Sequence, residues 1–443
     1  MASPSSSGAA LPDWVMLDRH VFRRDDPRQF REDERTSVAS STSTGAPFRV
    51  SFVLAEPPAP SRLYLRWPDG PKLERTSHLV AAHRHLVLLR LDSPILVTSE
   101  KNPRPCKLVC HDYYVYIPNP PSQTTPVLRW LPAATRYNAH LGKRILRPFE
   151  DYCVGLLCRG EDEFALAYLT LGRTRSTVDA QLWVLRSSVR APSGDDATDG
   201  GCEEWVTLDL PIRHKPDEFN DIFYWETEEV IPFENSLCWV NYYRGILFCD
   251  DVFGDSPKVS YHRLPLDSFP RHPSSHVTRI YMYRRLCVTE GGGRMVFVEV
   301  TRDDGQVLGR MAPSTGFTIT SYELKRTEDA ATQWLTYSIV TSVELWDKNT
   351  TARLPHQVMV LPLLSMDKPD VVHLALYEWQ RIVDKVSLLT IDLSSKQVVS
   401  KVIPYINGEE DLSTEDADMV KMKRSLITDF LPSEFPKFLN PHR

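Results

Sequence analysis

Between Cys238 and Pro265 the chain allows only short extended runs. An aromatic run, Cys238-Trp239-Val240-Asn241-Tyr242-Tyr243-Arg244, breaks at Gly245. An apolar run, Ile246-Leu247-Phe248-Cys249, ends at Asp250-Asp251. A third, Val259-Ser260-Tyr261-His262-Arg263-Leu264, stops at Pro265, which has no amide hydrogen to donate to a ladder. The spacing predicts three short strands in succession. Trp239 and Phe248 are expected to pack between β units, Gly245 to occupy a turn or bulge with positive φ, and Arg244 to lie on an exposed turn.

The same grammar recurs along the chain. Phe48–Leu54, Leu63–Trp67, Leu86–Leu91 and Tyr113–Ile117 form a first group, and four runs between Tyr152 and Pro211 a second. Arg285–Val288, Met295–Val300, Phe317–Leu324 and Trp334–Tyr337 follow, then Val371–Leu376 and Val386–Leu393. Ile246–Asp250 and Leu388–Asp392 are close in pattern, each an apolar run ended by Asp, whose side chain bonds the amides of a following turn. The chain has 34 prolines against 19 glycines, which suits strands stopped by proline-containing turns rather than glycine-rich kelch or WD repeats. Groups of strands at intervals of ~50 residues predict an all-β fold, a single β-propeller of about six degenerate blades. Residues 1–11 read as a disordered tail, 12–405 as the propeller-like domain and 406–443 as a helical extension. That extension's helix runs over 417–427, opened by the cap Ser413-Thr414-Glu415-Asp416 and ended by basic residues. Trp14-Val15-Met16-Leu17 reads as a structural strand, available to close the ring by pairing the two ends of the chain.

A formal net charge of −6 argues against a general nucleic-acid surface, which needs clustered Lys and Arg. No apolar run approaches the length of a membrane span. Met1–Ser7 has neither a basic nor an apolar signal segment, so the expected location is the cytosol or the nucleus. The eight cysteines (106, 110, 153, 158, 202, 238, 249, 287) lie mostly in apolar runs and are expected to stay reduced.

The chemistry-bearing motifs are weak. Cys106-x3-Cys110-His111 has no second pair to complete a zinc site, and Cys153-x4-Cys158 would put its thiols on opposite faces of a strand. His83-x-His85 would share a strand face, yet a polar strand end beside an exposed loop explains it. Gly291-Gly292-Gly293 leads into strand-like residues, so it reads as a hairpin turn rather than a phosphate loop. Asp250, Asp251 and Asp255 lack the calcium-loop pattern, Asn349-Thr350-Thr351 is a sequon without a secretory context, and no Gly-x-Ser-x-Gly occurs. No catalytic, cofactor-binding or metal-binding residue is assigned, and no cofactor is expected.

Trp239–Asp250 with Tyr261-His262-Arg263-Leu264-Pro265 resembles the central signature of the plant family called domain of unknown function 1618, or DUF1618. Trp14–Arg19 and Gly45–Val50 resemble its opening. More loosely, Leu237–Val240 with the strand ending at Asp250 is similar to blades of F-box-associated propellers, although residues 1–46 provide no F-box. The resemblance carries no activity and no functional residue. The reading is therefore a monomeric, non-enzymatic scaffold that binds a protein partner through blade-end loops at 28–45, 192–203 and 326–333. The competing reading is a hydrolase with carboxylates gathered at the propeller channel.

Overall fold

The computed structural model describes residues 11–70, 78–99, 102–120, 125–138, 143–189, 204–266, 280–305, 315–326, 332–350, 354–379, 383–406 and 430–439. Strands take 56% of it and helices 9%, so the all-β expectation holds. Its contacts divide into two compact units, Met1–Leu131 with Phe430–Arg443, and Pro132–Asp429. Residues 1–10 of the tail expected over 1–11, the helix expected over 417–427, the loop at 192–203 and Cys202 lie outside the described residues, while Leu11 is buried.

The first unit is built from β1 (Val15–Arg23), β2 (Val38–Ser41), β3 (Pro47–Val53), β4 (Pro60–Arg66), β5 (His78–His83), β6 (Leu86–Ser99), β7 (Asn102–Ile117) and β8 (Val127–Trp130). Their order is β2-β3-β4-β1-β5-β6-β7-β8. Pro47 and Pro60 each sit at the first residue of a strand, where a missing amide hydrogen costs least. β1 runs parallel to β4 and antiparallel to a closing strand, Phe430–Ser433, with Val15 opposite Ser433 and Asp18 opposite Phe430. The sheet nearly closes on itself as β2 and β8 approach. The Tyr114 hydroxyl donates to Ser41 O at 2.8 Å and that of Tyr116 to Thr36 O at 3.2 Å, tying β7 to the β2 segment. Inside, Phe52, Tyr116 and Phe435 form a three-ring cluster with centroids 4.8–5.7 Å apart, tilted or edge-on as aromatic quadrupoles prefer. The 28–45 segment, expected as a loop, thus contributes a strand to this sheet.

The second unit opens with the hairpin β9 (Thr135–Asn138) and β10 (Lys143–Leu146). Then come β11 (Val154–Arg159), β12 (Glu163–Arg173), β13 (Val178–Ser188), β14 (Val206–Arg213), the short helix α1 (Phe219–Phe223), β15 (Glu229–Phe233), β16 (Ser236–Asn241), β17 (Gly245–Asp250) and β18 (Lys258–Arg263). The last three are the strands read between Cys238 and Pro265. These eight strands form one sheet, ordered β11-β12-β13-β14-β18-β17-β16-β15. Its midpoint is a short parallel pairing of β14 with β18, at Ile212 opposite Val259 and Arg213 opposite Ser260. Its ends, β11 and β15, come together. Gly155 on β11 makes that approach possible, because a Cβ there would lie 2.7 Å from Val230 and 2.9 Å from Leu237. Trp239 locks the closure, its indole N–H donating to Cys153 O at 2.9 Å. Pro232 lies on β15, an end strand of this sheet.

Two smaller sheets complete the unit. One is β19 (Arg284–Thr289), β20 (Arg294–Arg302), β21 (Phe317–Arg326) and β22 (Thr332–Thr341), paired in sequence order and followed by α2 (Ser342–Lys348). α2 has a full capping box, with Thr341 and Glu344 each serving the other's backbone. The other is β23 (Val360–Leu364), β24 (Val371–Trp379), β25 (Val383–Asp392), β26 (Gln397–Val398) and β27 (Ile403–Ile406). Where the sequence predicted one ring of about six blades, the described strands form two nearly closed barrel-like sheets and these smaller ones. The difference arises at β14, whose pairing with β18 fuses two four-stranded meanders into a single sheet.

Candidate functional site

The turn between β16 and β17 is held from both sides. The Asn241 side-chain oxygen accepts the Tyr243 N–H at 2.9 Å, and its amide group donates to Glu226 O at 2.7 Å. The Tyr242 N–H donates to Glu228 at 2.6 Å, and its hydroxyl to Glu229 at 2.6 Å. Arg285 grips the other Glu229 oxygen at 2.6 Å, and Arg284 donates to Tyr242 O at 2.8 Å. Burial pushes the Glu228 carboxyl up to about 7, despite the Tyr242 N–H and the nearby Arg284.

Arg244 is not on an exposed turn. Its side chain is 2% exposed, with the guanidinium 3.4 Å from Asp221 and over the Tyr224 ring at 5.8 Å. Arg263 binds the same Asp221 at 2.9 Å and Asp217 at 2.6 Å. The reason is the segment 216–224, which folds over the hairpin and brings α1 with its buried Asp221 and Ile222. Gly245 is also required for a reason other than the expected one. Its φ is not positive; a Cβ there would lie 2.3 Å from His262 O and 2.6 Å from the Tyr261 ring. Trp239 and Phe248 are fully buried, as expected. This cluster is an anchor: its charges are neutralised by one another.

The motif residues disperse. Cys106 and Cys110 lie on β7, opposite Val97 and Ser93, with their side chains outside the described residues. His111 is taken up by Asp92, 2.7 Å away, which also pairs with Arg90. His83 ends β5, while His85 sits in a tight turn whose Arg84 has φ of 50°. The two imidazoles therefore do not share a strand face, and the loop is not exposed: His85 is buried, 5.4 Å from the Phe438 ring. Burial lowers His83 to about 3, so it is neutral. Cys153 belongs to a one-turn helix before β11, not to the strand carrying Cys158. Cys153, Cys249 and Cys287 are free thiols, and burial raises them to about 12, 12 and 11. Gly291 and Gly292, at φ of 65° and 96°, turn β19 into β20 as the hairpin reading expected. Asp250 accepts from the Ser236 hydroxyl at the end of β17. The Asn349 side-chain amide is buried and donates to Leu345 O and Lys396 O. Among the described residues no group of three His, Cys, Asp or Glu side chains is placed to hold a metal.

The sequence reading missed an open groove of about 580 Å³ on β12, β13 and β14. Thr170, Gln181 and Asp209 are directly opposite one another, and so are Gly172, Asp179 and Pro211. Strand alternation puts these two rungs on one face, while the intervening Leu171, Ala180 and Leu210 turn to the core. Arg147 borders the groove, and Gln181 donates to Asp209 at 3.0 Å. Gly172 leaves room, since a Cβ there would meet nothing nearer than 3.8 Å. Asp179 and Gln181 alternate with core residues on β13, but only the register of three strands brings the rungs together.

Comparison with known families is informative for the hairpin. Residues 239–373 match the family described as Protein of unknown function (DUF1618). Over that stretch the match supports a DUF1618 assignment. The DUF1618 match begins at Trp239 on β16 and ends at His373 on β24, so it includes Arg244 and Arg263 but not their partner Asp221, and it excludes the groove. No curated protein matches the chain. Among the described residues, no helix of the chain is long and apolar enough to cross a membrane.

Proposed function

We propose that this DUF1618 chain is a non-catalytic interaction scaffold of the cytosol or nucleus, and that it receives a segment of a protein partner in the groove on β12–β14. The observation that carries this reading is the groove itself: a wide, open depression whose exposed carboxylates, Asp179 and Asp209, lie on adjacent rungs of one face. Two carboxylates on such rungs favour a Lys or Arg side chain of the partner, with Pro211 giving it an apolar bed. The blade-like reading is retained at the level of the repeat, because four successive four-stranded antiparallel meanders start at β11, β15, β19 and β23.

The hydrolase reading has one observation in its favour, the Glu228 carboxyl raised to about 7, in the range of a general acid or base. That group is engaged by the Tyr242 amide. The experiment is capture of partners from native tissue by wild type and by Asp179→Lys/Asp209→Lys, with melting temperatures measured for both. A partner held by wild type and lost by the double variant at unchanged stability is expected. Capture that survives the double variant would remove the groove from the function.

A further inference from the structure

The outer strand β22 reads Thr-Gln-Trp-Leu-Thr-Tyr-Ser-Ile-Val-Thr, with no Lys, Arg, Asp, Glu or Pro. Only β21 pairs with it, so β22 is an edge among the described strands. Edge strands are usually protected by charge, proline or a bulge against pairing with another chain, and β22 has only the bulge, at Tyr337. This one instead exposes Leu335 at 43% and Ile339 at 56%. Tyr337 between them is partly held, stacked under Arg294 and hydrogen-bonded to Asp370.

The strand is also chemically symmetric about Tyr337. Thr336 mirrors Ser338, Leu335 mirrors Ile339, Trp334 mirrors Val340, and Gln333 mirrors Thr341. Antiparallel pairing of two identical strands about a two-fold axis places each residue opposite its mirror position. A generic partner strand has no need of that symmetry; a second copy of the same chain makes direct use of it. The absence of charge removes self-repulsion along the pair. The break in register with β21 also falls at Tyr337, so the irregularity lies on the axis.

We propose that β22 pairs antiparallel with β22 of a second copy, in the register that sets Leu335 opposite the partner's Ile339, to give a closed two-fold dimer. This surface is separate from the groove, and the inference does not depend on it. Sedimentation velocity on the full chain across micromolar concentrations tests it. Wild type is expected to show a concentration-dependent monomer–dimer equilibrium. Leu335→Lys/Ile339→Lys puts like charges opposite each other twice and is expected to weaken the dimer by roughly tenfold or more. Leu335→Lys/Ile339→Glu puts opposite charges together in the same register and is expected to recover most of that loss. Both variants change exposed positions and should melt with wild type. A wild type that stays monomeric, one that forms open-ended aggregates, or a dimer that treats the two variants alike would overturn the proposal.

Discussion

Arg244 and Asp221 are each almost wholly removed from water; the Arg244 charge is tolerated because Asp221 faces it, and Asp221 is held by Arg263 as well. Arg244→Ala leaves Asp221 with Arg263 alone and is expected to cost about 3 kcal/mol. Trp239→Ala removes a fully buried ring and the bond that ties β16 to the turn before β11, at about 3–5 kcal/mol. Gly245→Val drives side-chain carbon into His262 O and is expected to lower stability at least as much as Trp239→Ala. Urea midpoints of the three variants check this, and an Arg244→Ala midpoint equal to wild type would return that residue to the surface. Glu228 makes a pH prediction. Its folded value of about 7 stands above the ordinary 4.5, so the native state keeps a proton that the unfolded chain releases between those values. Stability therefore falls as pH rises through that window. Glu228→Gln keeps an acceptor for the Tyr242 amide and should match wild type near pH 4.5, yet exceed it at pH 8 by up to roughly 3 kcal/mol. Thermal melts at the two pH values decide it; an equal gain at both would exclude the carboxyl. Trp239 and Phe248 were legible as core because only burial suits such rings. Arg244 was not, because what covers it lies twenty-odd residues earlier in a segment outside the strand runs read from the sequence.

At the scale of elements, strands were easier to read than their partners. Trp14–Asp18 shows its strand character through apolar residues before a charged stretch, and it does form β1. Its partner Phe430-Leu431-Pro432-Ser433 is too short and too proline-bearing to declare itself, and only its pairing with β1 defines it. Deleting residues 430–443 removes that strand together with Phe435, which is fully buried against Phe52 and Tyr116. The expected result is loss of amide protection in β1, β3 and β7, with β16 and β17 keeping theirs, read by hydrogen exchange. Uniform protection in both units would show that the closing strand is dispensable. Phe435→Ala alone should reproduce the effect in part, at about 3–5 kcal/mol. The groove was illegible for the opposite reason: each of its strands was recognised, but the register that aligns Thr170, Gln181 and Asp209 belongs to no single strand.

For the whole molecule, the β class was legible because proline and aspartate punctuate runs too short for anything but strands. The arrangement of sheets was not, because it turns on very local events: a parallel pairing at Ile212 and Arg213, and a missing Cβ at Gly155. Neither leaves a mark in composition or periodicity. The pairing of Val15 with Ser433 has a consequence for how the protein is made. A chain leaves the ribosome from its N-terminal end, so β1 emerges about 400 residues before the strand that completes its sheet. At ~5–20 residues per second that is a wait of roughly 20–80 s. During it the second unit, contiguous in sequence, can fold to completion, while the first unit holds Phe52 and Tyr116 without the ring that covers them. The unit begun first is then the last to be completed.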